Sequence, residues 1–519
     1  MTDATPDGRT TAEQRADNRR AARNLDATGI ADGYEPDPKR WKALTVCLVA
    51  GFMTLLDVSI VNVALPSIRT GLQAAQSELS WVLSGYALTF GLALVPAGRL
   101  GDARGRRRMF VIGVAGFTIA SAVCGIAPNG IVLVCARLAQ GMAGGFVTPQ
   151  VSGLIQQLFR GAERGRAFGL LGATIGISTA VGPLLGGLII AMAGAQEGWR
   201  WVFYVNIPIG ALAIILAFRL IPGSLGKQSR DELDLVGALL LGVGVAAILL
   251  PLIESQEHVD PLMWLFVPAG VVILVGFVAW ERHYGRHHAS LIDLSLFKRK
   301  SYAFGASIGL AYFAAFTPVF FIFTLFLQNG LHYSPLMAGL SVTPFAVGSA
   351  GAAAIGGRIV SRFGRPLVAV GLVLVAVGLA GSILAVELVP GRNVGFATAL
   401  PLFVAGIGSG NVISPNQTLT LNEVPVQGAG SAGGVVQTGQ RVGSAFGIAV
   451  VGAVFFDAVA RGHGAWDTAY REGVTVSIGF VVIALAGAIA DVVRRASSAQ
   501  APTSDEPKKA AAASRPAGT

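Results

Sequence analysis

Charge is scarce in this chain. Asp, Glu, Lys and Arg together make up 13% of its 519 residues, about half the share usual in a soluble domain. That excludes an ordinary soluble enzyme or binding module. Cysteine is rarer still: Cys47, Cys124 and Cys135 are the complete set. Each stands alone in an apolar run, which leaves no disulfide framework and no CxxC pair, only small packing residues. No GxxxxGK[ST] phosphate loop occurs, so ATP-driven work by this chain is not indicated. HExxH is missing too, and nothing else marks covalent catalysis. Strand-like alternation over about ten residues is absent, which argues against a β-barrel. Histidine is sparse, and its one cluster, His283, His287 and His288, reads as a solvated linker rather than a metal site.

What the chain has is apolar length. Hydrophobic residues make up 53%, gathered in runs of about 20 residues that fit membrane-crossing helices. We read fourteen spans, centred near Thr54, Ala87, Gly116, Ala143, Thr179, Leu212, Val243, Val272, Pro318, Ala346, Leu374, Gly408, Phe446 and Val481. The expected fold is an all-α polytopic membrane protein. The spans near Ile175 and Ala445, rich in Gly, Ala and Ser, are expected to be the weakest in hydropathy.

Charge sets the orientation. With the N-terminus inside, about 32 of the 39 Lys and Arg fall in cytoplasmic segments, the asymmetry of the positive-inside rule. Arg69, Arg200, Arg392, Arg461 and Arg471 fall outside, and Arg137 and Arg441 lie within spans. The net charge of +10 is therefore spread over loops that meet anionic lipid, and nucleic acid is not an expected partner. An even span count returns the C-terminus to the cytoplasm. Residues 1–42 and 496–519 are polar or Ala/Pro/Ser/Lys-rich and read as disordered tails. No cleavable signal peptide is indicated.

Two cytoplasmic turns repeat. Gly98-Arg-Leu-Gly-Asp-Ala-Arg-Gly-Arg matches Gly357-Arg-Ile-Val-Ser-Arg-Phe-Gly-Arg at Gly98, Arg99, Gly105 and Arg106 against Gly357, Arg358, Gly364 and Arg365. Both join the second and third helices of a six-helix unit, and repeated halves are a transporter signature. Eight spans separate the turns rather than six, so the expected plan is six plus two plus six. It comprises a six-helix bundle over 43–222, two inserted helices over 232–281, a linker over 282–300 and a second bundle over 301–495. The linker's LIDLSLFKRK reads as an amphipathic segment lying on the membrane surface.

Asp57 stands in the apolar stretch ALTVCLVAGFMTLLDVSIVNVALP. A carboxylate there is expensive, and marks either a functional site or a fixed structural pair. Asp57 lies roughly 14 Å deep and Arg137, in span 4, roughly 9 Å deep, so the two can meet or share a cavity. An arginine neighbour favours the charged carboxylate and burial the neutral one. Where these oppose, a proton can be taken up and released; Arg137 can equally be a structural anchor. Gln140, Gly141 and Gly144 share its face, which is expected to pack against protein. On span 5, Gly172, Gly176, Thr179, Pro183, Gly186 and Gly187 fall on one arc. That nearly side-chain-free stripe suits tight packing or a bending gate. In the first turn, Gly98 and Gly105 permit tight geometry, and Asp102 can cap a helix or pair with arginine. Tyr312, Phe316, Phe320, Phe321 and Phe323 of span 9 can line a substrate pocket or face lipid.

GRLGDARGRRR resembles the cytoplasmic-loop signature of the major facilitator superfamily, and LLDVSIVNVALPSI the first-helix motif of its fourteen-helix drug:proton antiporter family. Arg137-Leu-Ala-Gln-Gly141 is similar to the family's RxxQG motif. Gly172 to Gly187, with Gly182 and Pro183 in GPLLGG, is similar to its antiporter motif. WRWVFYVNIPIG and QRVGSAFGIA also look like this family. The resemblance implies the major facilitator fold, cytoplasmic termini and a bacterial cytoplasmic-membrane antiporter. Such a protein is no enzyme: it needs no cofactor beyond a proton gradient, and works as a monomer in the bilayer. Small amphipathic or cationic drugs leave as protons enter. A single-metabolite importer or exporter of the same superfamily is the alternative. Asp57 and Arg137 then serve proton coupling, Gln140 and Gly141 are further embedded motif residues, and the span 5 glycines serve gating. Gly98, Asp102, Arg104, Gly105 and Arg106 form a latch between the halves. Arg441 is an embedded cation whose role rests on the resemblance alone. The second turn has Ser361 where the first has Asp102, so a carboxylate's role in the turn is limited to the first copy.

The orientation is checked by cysteine labelling in intact cells. Cysteine introduced at Gln256 or Asn329 is expected to react with an impermeant thiol reagent from outside, and cysteine at Gln228 is not. External labelling at position 228 overturns the orientation.

Overall fold

The computed structural model describes residues 36–500 apart from 195, 224–233, 255–260, 287, 289, 390 and 463. Most of both tails, His287, and positions 228 and 256 lie outside the described residues. Every regular element described is helical. The first group is α1 (Arg40–Leu72), α2 (Gln76–Arg104), α3 (Arg106–Ile126), α4 (Gly130–Leu158), α5 (Gly161–Ala193), a short α6 (Gly198–Tyr204) and α7 (Asn206–Leu220). Next come α8 (Leu235–Glu254) and α9 (Phe266–Tyr284). The last group is α10 (Lys300–Leu325), α11 (Pro335–Phe363), α12 (Arg365–Leu388), a short α13 (Val394–Ala397), α14 (Ala399–Leu421), α15 (Ala429–Arg461) and α16 (Trp466–Gln500).

Local chemistry explains the breaks. Asn129 caps α4, its side chain accepting from the Val132 amide at 3.0 Å, and Ser334 caps α11 just before Pro335, a favoured first helical residue. Gly105 and Gly364 hold φ of 100° and 60°, the left-handed region open to glycine at no steric cost. These are the matched glycines of the two repeated turns, so the repeat is structural as well as textual.

Thirteen helical stretches among the described residues are long and apolar enough to cross a membrane. The segments expected to be weakest, in α5 and α15, are among them. The stretch that falls short is α14, whose lower half carries Ser409, Asn411, Ser414, Asn416, Gln417 and Thr418. Most of these side chains are buried among neighbouring helices. A helix shielded from lipid by protein can afford polar residues that a lipid-facing one cannot. On α3 the lipid side is plain: Ile112, Ile119 and Ile126 are exposed two turns apart, while Phe110, Val114, Phe117 and Ser121 are buried.

One large core joins α10 to α16, from Ile308 to Ala488. A second gathers α1 to α5 and α7 and takes in Tyr302, Leu421, Ala432 and Val436 from the later helices. The two halves are thus fused at the end carrying the Gly98–Arg108 turn. A third core at the opposite end, built on Ile60, Val82, Leu133 and Trp199, draws on the early helices alone. α8 and α9 pack on one another, and α8 also lies against α2 and α15. The linker differs from its expected form. It is irregular with one short 3-10 turn (Leu294–Lys298). Leu291 and Ile292 are buried with Val95 and Phe277, and Leu296 joins the second core. Leu291, Ile292 and Leu296 are thus held against protein, while Phe297 is exposed.

Candidate functional site

Asp57 is fully buried on α1 and accepts from three side chains on two other helices. Arg137 Nη1 of α4 stands 2.5 Å from Oδ2. Gln140 Nε2, one turn along α4, and Asn206 Nδ2, the first residue of α7, each donate to Oδ1 at 2.9 Å. Gln140 is the pivot: its Oε1 accepts from Arg137 at 2.7 Å and its Nε2 also donates to Ser121 Oγ of α3 at 2.7 Å. Arg137 is tied down further by donating from Nε to the Val82 carbonyl of α2 at 3.0 Å. Its guanidinium lies over the Tyr86 ring, 4.2 Å from the centroid. Gly141 permits this crossing, since a Cβ there would sit 2.9 Å from Tyr86 Cα.

Asp57 and Arg137, at compatible depths along their helices, are therefore in direct contact. Asn206 and Ser121 escaped the sequence reading. Asn206 was visible only as a lone amide in the WRWVFYVNIPIG run. It is placed by the break at Val205, where α6 ends and α7 begins.

Arg137 also lines a cavity of about 930 Å³ between the halves, within the size range of small-molecule sites. Its wall includes Val58, Asn62 and Leu65 of α1, Ser84 and Phe90 of α2, Leu249 of α8, Thr317 of α10, and Arg441 and Ser444 of α15. It extends to Pro66, Arg69 and Thr70, all exposed, at the end opposite the repeated turns. The span 9 aromatics do not line this cavity. Phe316 and Phe320 pack on Phe345 of α11 with centroids 5.8 and 4.8 Å apart, and Tyr312 donates to Ser409 Oγ at 2.7 Å. That face of α10 turns toward its own half, and Thr317 is its contribution to the wall.

At the closed end, Asp102 accepts from the Gly430 and Ser431 amides at 3.1 and 2.9 Å. It thus caps α15 from the other half, where a helix N-terminus favours negative charge. Arg106 pairs with Asp102 at 2.8 Å, donates to the Gly153 carbonyl at 2.7 Å and reaches the Val426 carbonyl. Gly98 makes the approach possible: a Cβ there would sit 2.9 Å from the Ser431 amide. Arg104 is exposed, outside these contacts. In the second turn, Gly357 crosses α5 in the same way, where a Cβ would meet Gly169 Cα at 2.6 Å. Arg365, matching Arg106, takes its carboxylate from elsewhere: Asp491 of α16, 2.8 Å away and fully buried. Ser361 is not acidic, so the charge is supplied by another helix.

The span 5 stripe divides between two neighbours. Gly172 and Gly176 face α11, with a built Cβ 3.0 Å from Ala353 Cβ and 3.2 Å from the Ala346 carbonyl respectively. Gly182 and Gly186 face α1 at Ser59 and Ile60, Pro183 meets Gly339, and Gly187 looks into open space.

With this geometry in place, the comparisons are specific. The family model described as Major Facilitator Superfamily matches residues 47–448. A probable actinorhodin transporter of Streptomyces coelicolor is 39% identical over 443 residues, 82% of this chain and 74% of that protein. The puromycin resistance protein pur8 of Streptomyces alboniger is 35% identical over 462 residues, 86% and 89% of the two chains. Among solved structures, the proton:xylose symporter XylE shares the fold with a TM-score of 0.61 at 16% identity, covering 85% of this chain and 94% of its own.

The glycine contacts generate a paired prediction. Gly186→Leu forces a side chain into Ile60, whose Cγ1 lies 2.9 Å from a built Cβ, and overpacking of this kind costs about 1–3 kcal/mol. Gly187→Leu meets nothing within 4 Å. Melting of the purified proteins is expected to show a lowered Tm for the first and none for the second. Equal melting of both variants contradicts the assigned contacts.

Proposed function

This chain belongs to the Major Facilitator Superfamily, and we propose that it is a proton-driven exporter of drug-like molecules. In this reading it is a fourteen-helix drug:proton antiporter of the bacterial cytoplasmic membrane. The names of its relatives, an antibiotic transporter and an antibiotic resistance protein, support the direction and the class of cargo. The observation that carries the proposal is the buried Asp57–Arg137 pair at the wall of a cavity between the halves.

Counting α14 with the apolar spans gives fourteen crossings, arranged as six, two and six with both termini cytoplasmic. The repeated turns then lie at the cytoplasmic face and the cavity opens outward. An external proton reaches Asp57 through the cavity and neutralises it. Arg137 loses its counter-charge, and an unpaired charge in a low-dielectric wall is costly, so the protonated site favours rearrangement. Asp102 releases α15, the cytoplasmic end opens, and the glycines of α5 let that helix slide and bend against α11. Cargo enters from inside, the proton leaves to the cytoplasm, and Arg137 recaptures Asp57. The gradient supplies the energy and no cofactor is needed. α8 walls the side of the cavity with Leu249 and Leu252, a role that suits the two inserted helices. The protein works as a monomer.

Everted vesicles from a host lacking its own pumps test this, with puromycin and rhodamine 6G as probes. An acid-inside gradient is expected to drive uptake by the parent and not by Asp57→Asn. The substitution leaves Arg137 facing a neutral partner, which can cost about 3–5 kcal/mol, so insertion and melting are measured alongside. Undiminished pH-driven uptake by a folded Asp57→Asn variant overturns the coupling role. Movement of a single metabolite with neither probe transported favours the narrower transporter.

A further inference from the structure

Among the described residues, the charge on the cavity wall is of one sign: Arg69, Arg137 and Arg441 line it, and no Asp or Glu does. The three cations differ in what holds them. Arg69 is an exposed rim residue. Arg137 is committed to Asp57, which lies behind it, outside the wall. Arg441, on α15, forms no ion pair or side-chain hydrogen bond among the described residues. Its guanidinium rests on the Phe90 ring, 4.6 Å from the centroid, and Phe90 itself is buried. One turn further along α15, Ser444 shares a 2.8 Å hydrogen bond with Thr317 of α10, placing two hydroxyls on the wall beside it.

An arginine kept at membrane depth without a carboxylate is expensive unless something pairs with it. A guanidinium stacked on a ring keeps its planar fork of donors in a fixed orientation, suited to two oxygens of one acidic group. A cationic molecule finds the opposite: no wall carboxylate among the described residues, and Asp57 held behind Arg137. Resting on the export reading, we propose that Arg441 is an anion-recognition residue, and that the preferred cargo is an amphipathic molecule bearing a carboxylate or another acidic group with two oxygens. The acidic group pairs with Arg441 beside Ser444 and Thr317. The apolar body lies along Val58, Leu65, Leu249 and Ile448. This reverses the cationic preference that resemblance alone implies.

The test uses the purified full-length chain in detergent and two dyes of one ring system, anionic fluorescein and cationic rhodamine 6G, with binding read by fluorescence anisotropy at one neutral pH. The parent is expected to bind fluorescein more tightly than rhodamine 6G. Arg441→Gln is expected to weaken fluorescein by about tenfold, a charge-assisted pair being lost, with rhodamine 6G unchanged. Arg441→Lys, which keeps the charge but not the fork, is expected to fall between. The parent comparison needs no variant to fold. A parent that prefers rhodamine 6G or binds neither dye overturns the proposal. So does an Arg441→Gln variant with unchanged fluorescein affinity, or with equal loss of both dyes. Gradient-driven uptake of rhodamine 6G by a parent with no fluorescein preference leaves the export reading standing and removes this one alone.

Discussion

The pairing of Asp57 with Arg137 is the constraint on which the first half of the molecule depends. Two opposite charges lie 2.5 Å apart with almost no exposure, in helices whose outer faces meet lipid. Such a pair is weak evidence for stability, since its attraction barely offsets the cost of desolvating both ions. It is better understood through what it demands. Asp57 needs its oxygens hydrogen-bonded, so Gln140 and Asn206 are drawn in beside Arg137. Gln140 needs Ser121, and Arg137 needs the Val82 carbonyl. One carboxylate thereby registers α1, α2, α3, α4 and α7 against each other. In the proposed cycle, protonation removes the charge that all five helices share, so one proton acts on five helices at once.

The closed end obeys the same electrostatics with a different outcome in each half. Asp102 and Arg106 act within one turn and reach across to cap α15. In the second half, Arg365 keeps the position of Arg106 but pairs with Asp491 of its own half, and α5 is met by bare glycine contacts with Gly357. Among the described residues, the carboxylate-mediated hold seen between the two repeated turns and the opposite half is that of Asp102. Among the described contacts, the α2–α15 seam is tied by charge and backbone amides, and the α5–α11 seam by close packing. A seam of packed glycines can slide, while a capped helix must be released.

Much of this was legible in the sequence, for physical reasons. Runs of about 20 apolar residues are unambiguous in a way that short strands are not, and the two turns announced their shared geometry through Gly105 and Gly364. Asp57 and Arg137 stood out because charge in an apolar run is rare, and their depths agreed because rise per residue is fixed. Other parts depend on facts a linear reading lacks. α14 is polar because neighbours cover it. Asp491 sits just before Arg494 and Arg495, where it reads as part of a charged helix end rather than as the missing partner of Arg365. The α10 aromatics and the LIDLSLFKRK segment carry apolar residues at helical spacing, but spacing cannot say whether lipid, cavity or protein will cover them. Gly187 shares its arc with Gly186 yet touches nothing, because a stripe becomes a contact only where a second helix crosses it.

The central claim is that Asp57 changes its protonation state while remaining inside the protein. Infrared difference spectroscopy of the purified chain, stepped between mildly alkaline and acidic pH, reads the carbonyl stretch of a protonated carboxyl group directly. The account predicts that the parent gains such a band on acidification and that the Asp57→Asn variant lacks that component of it. An identical acid-induced spectrum from the two proteins would show that Asp57 stays ionised against Arg137 throughout, and would contradict the account.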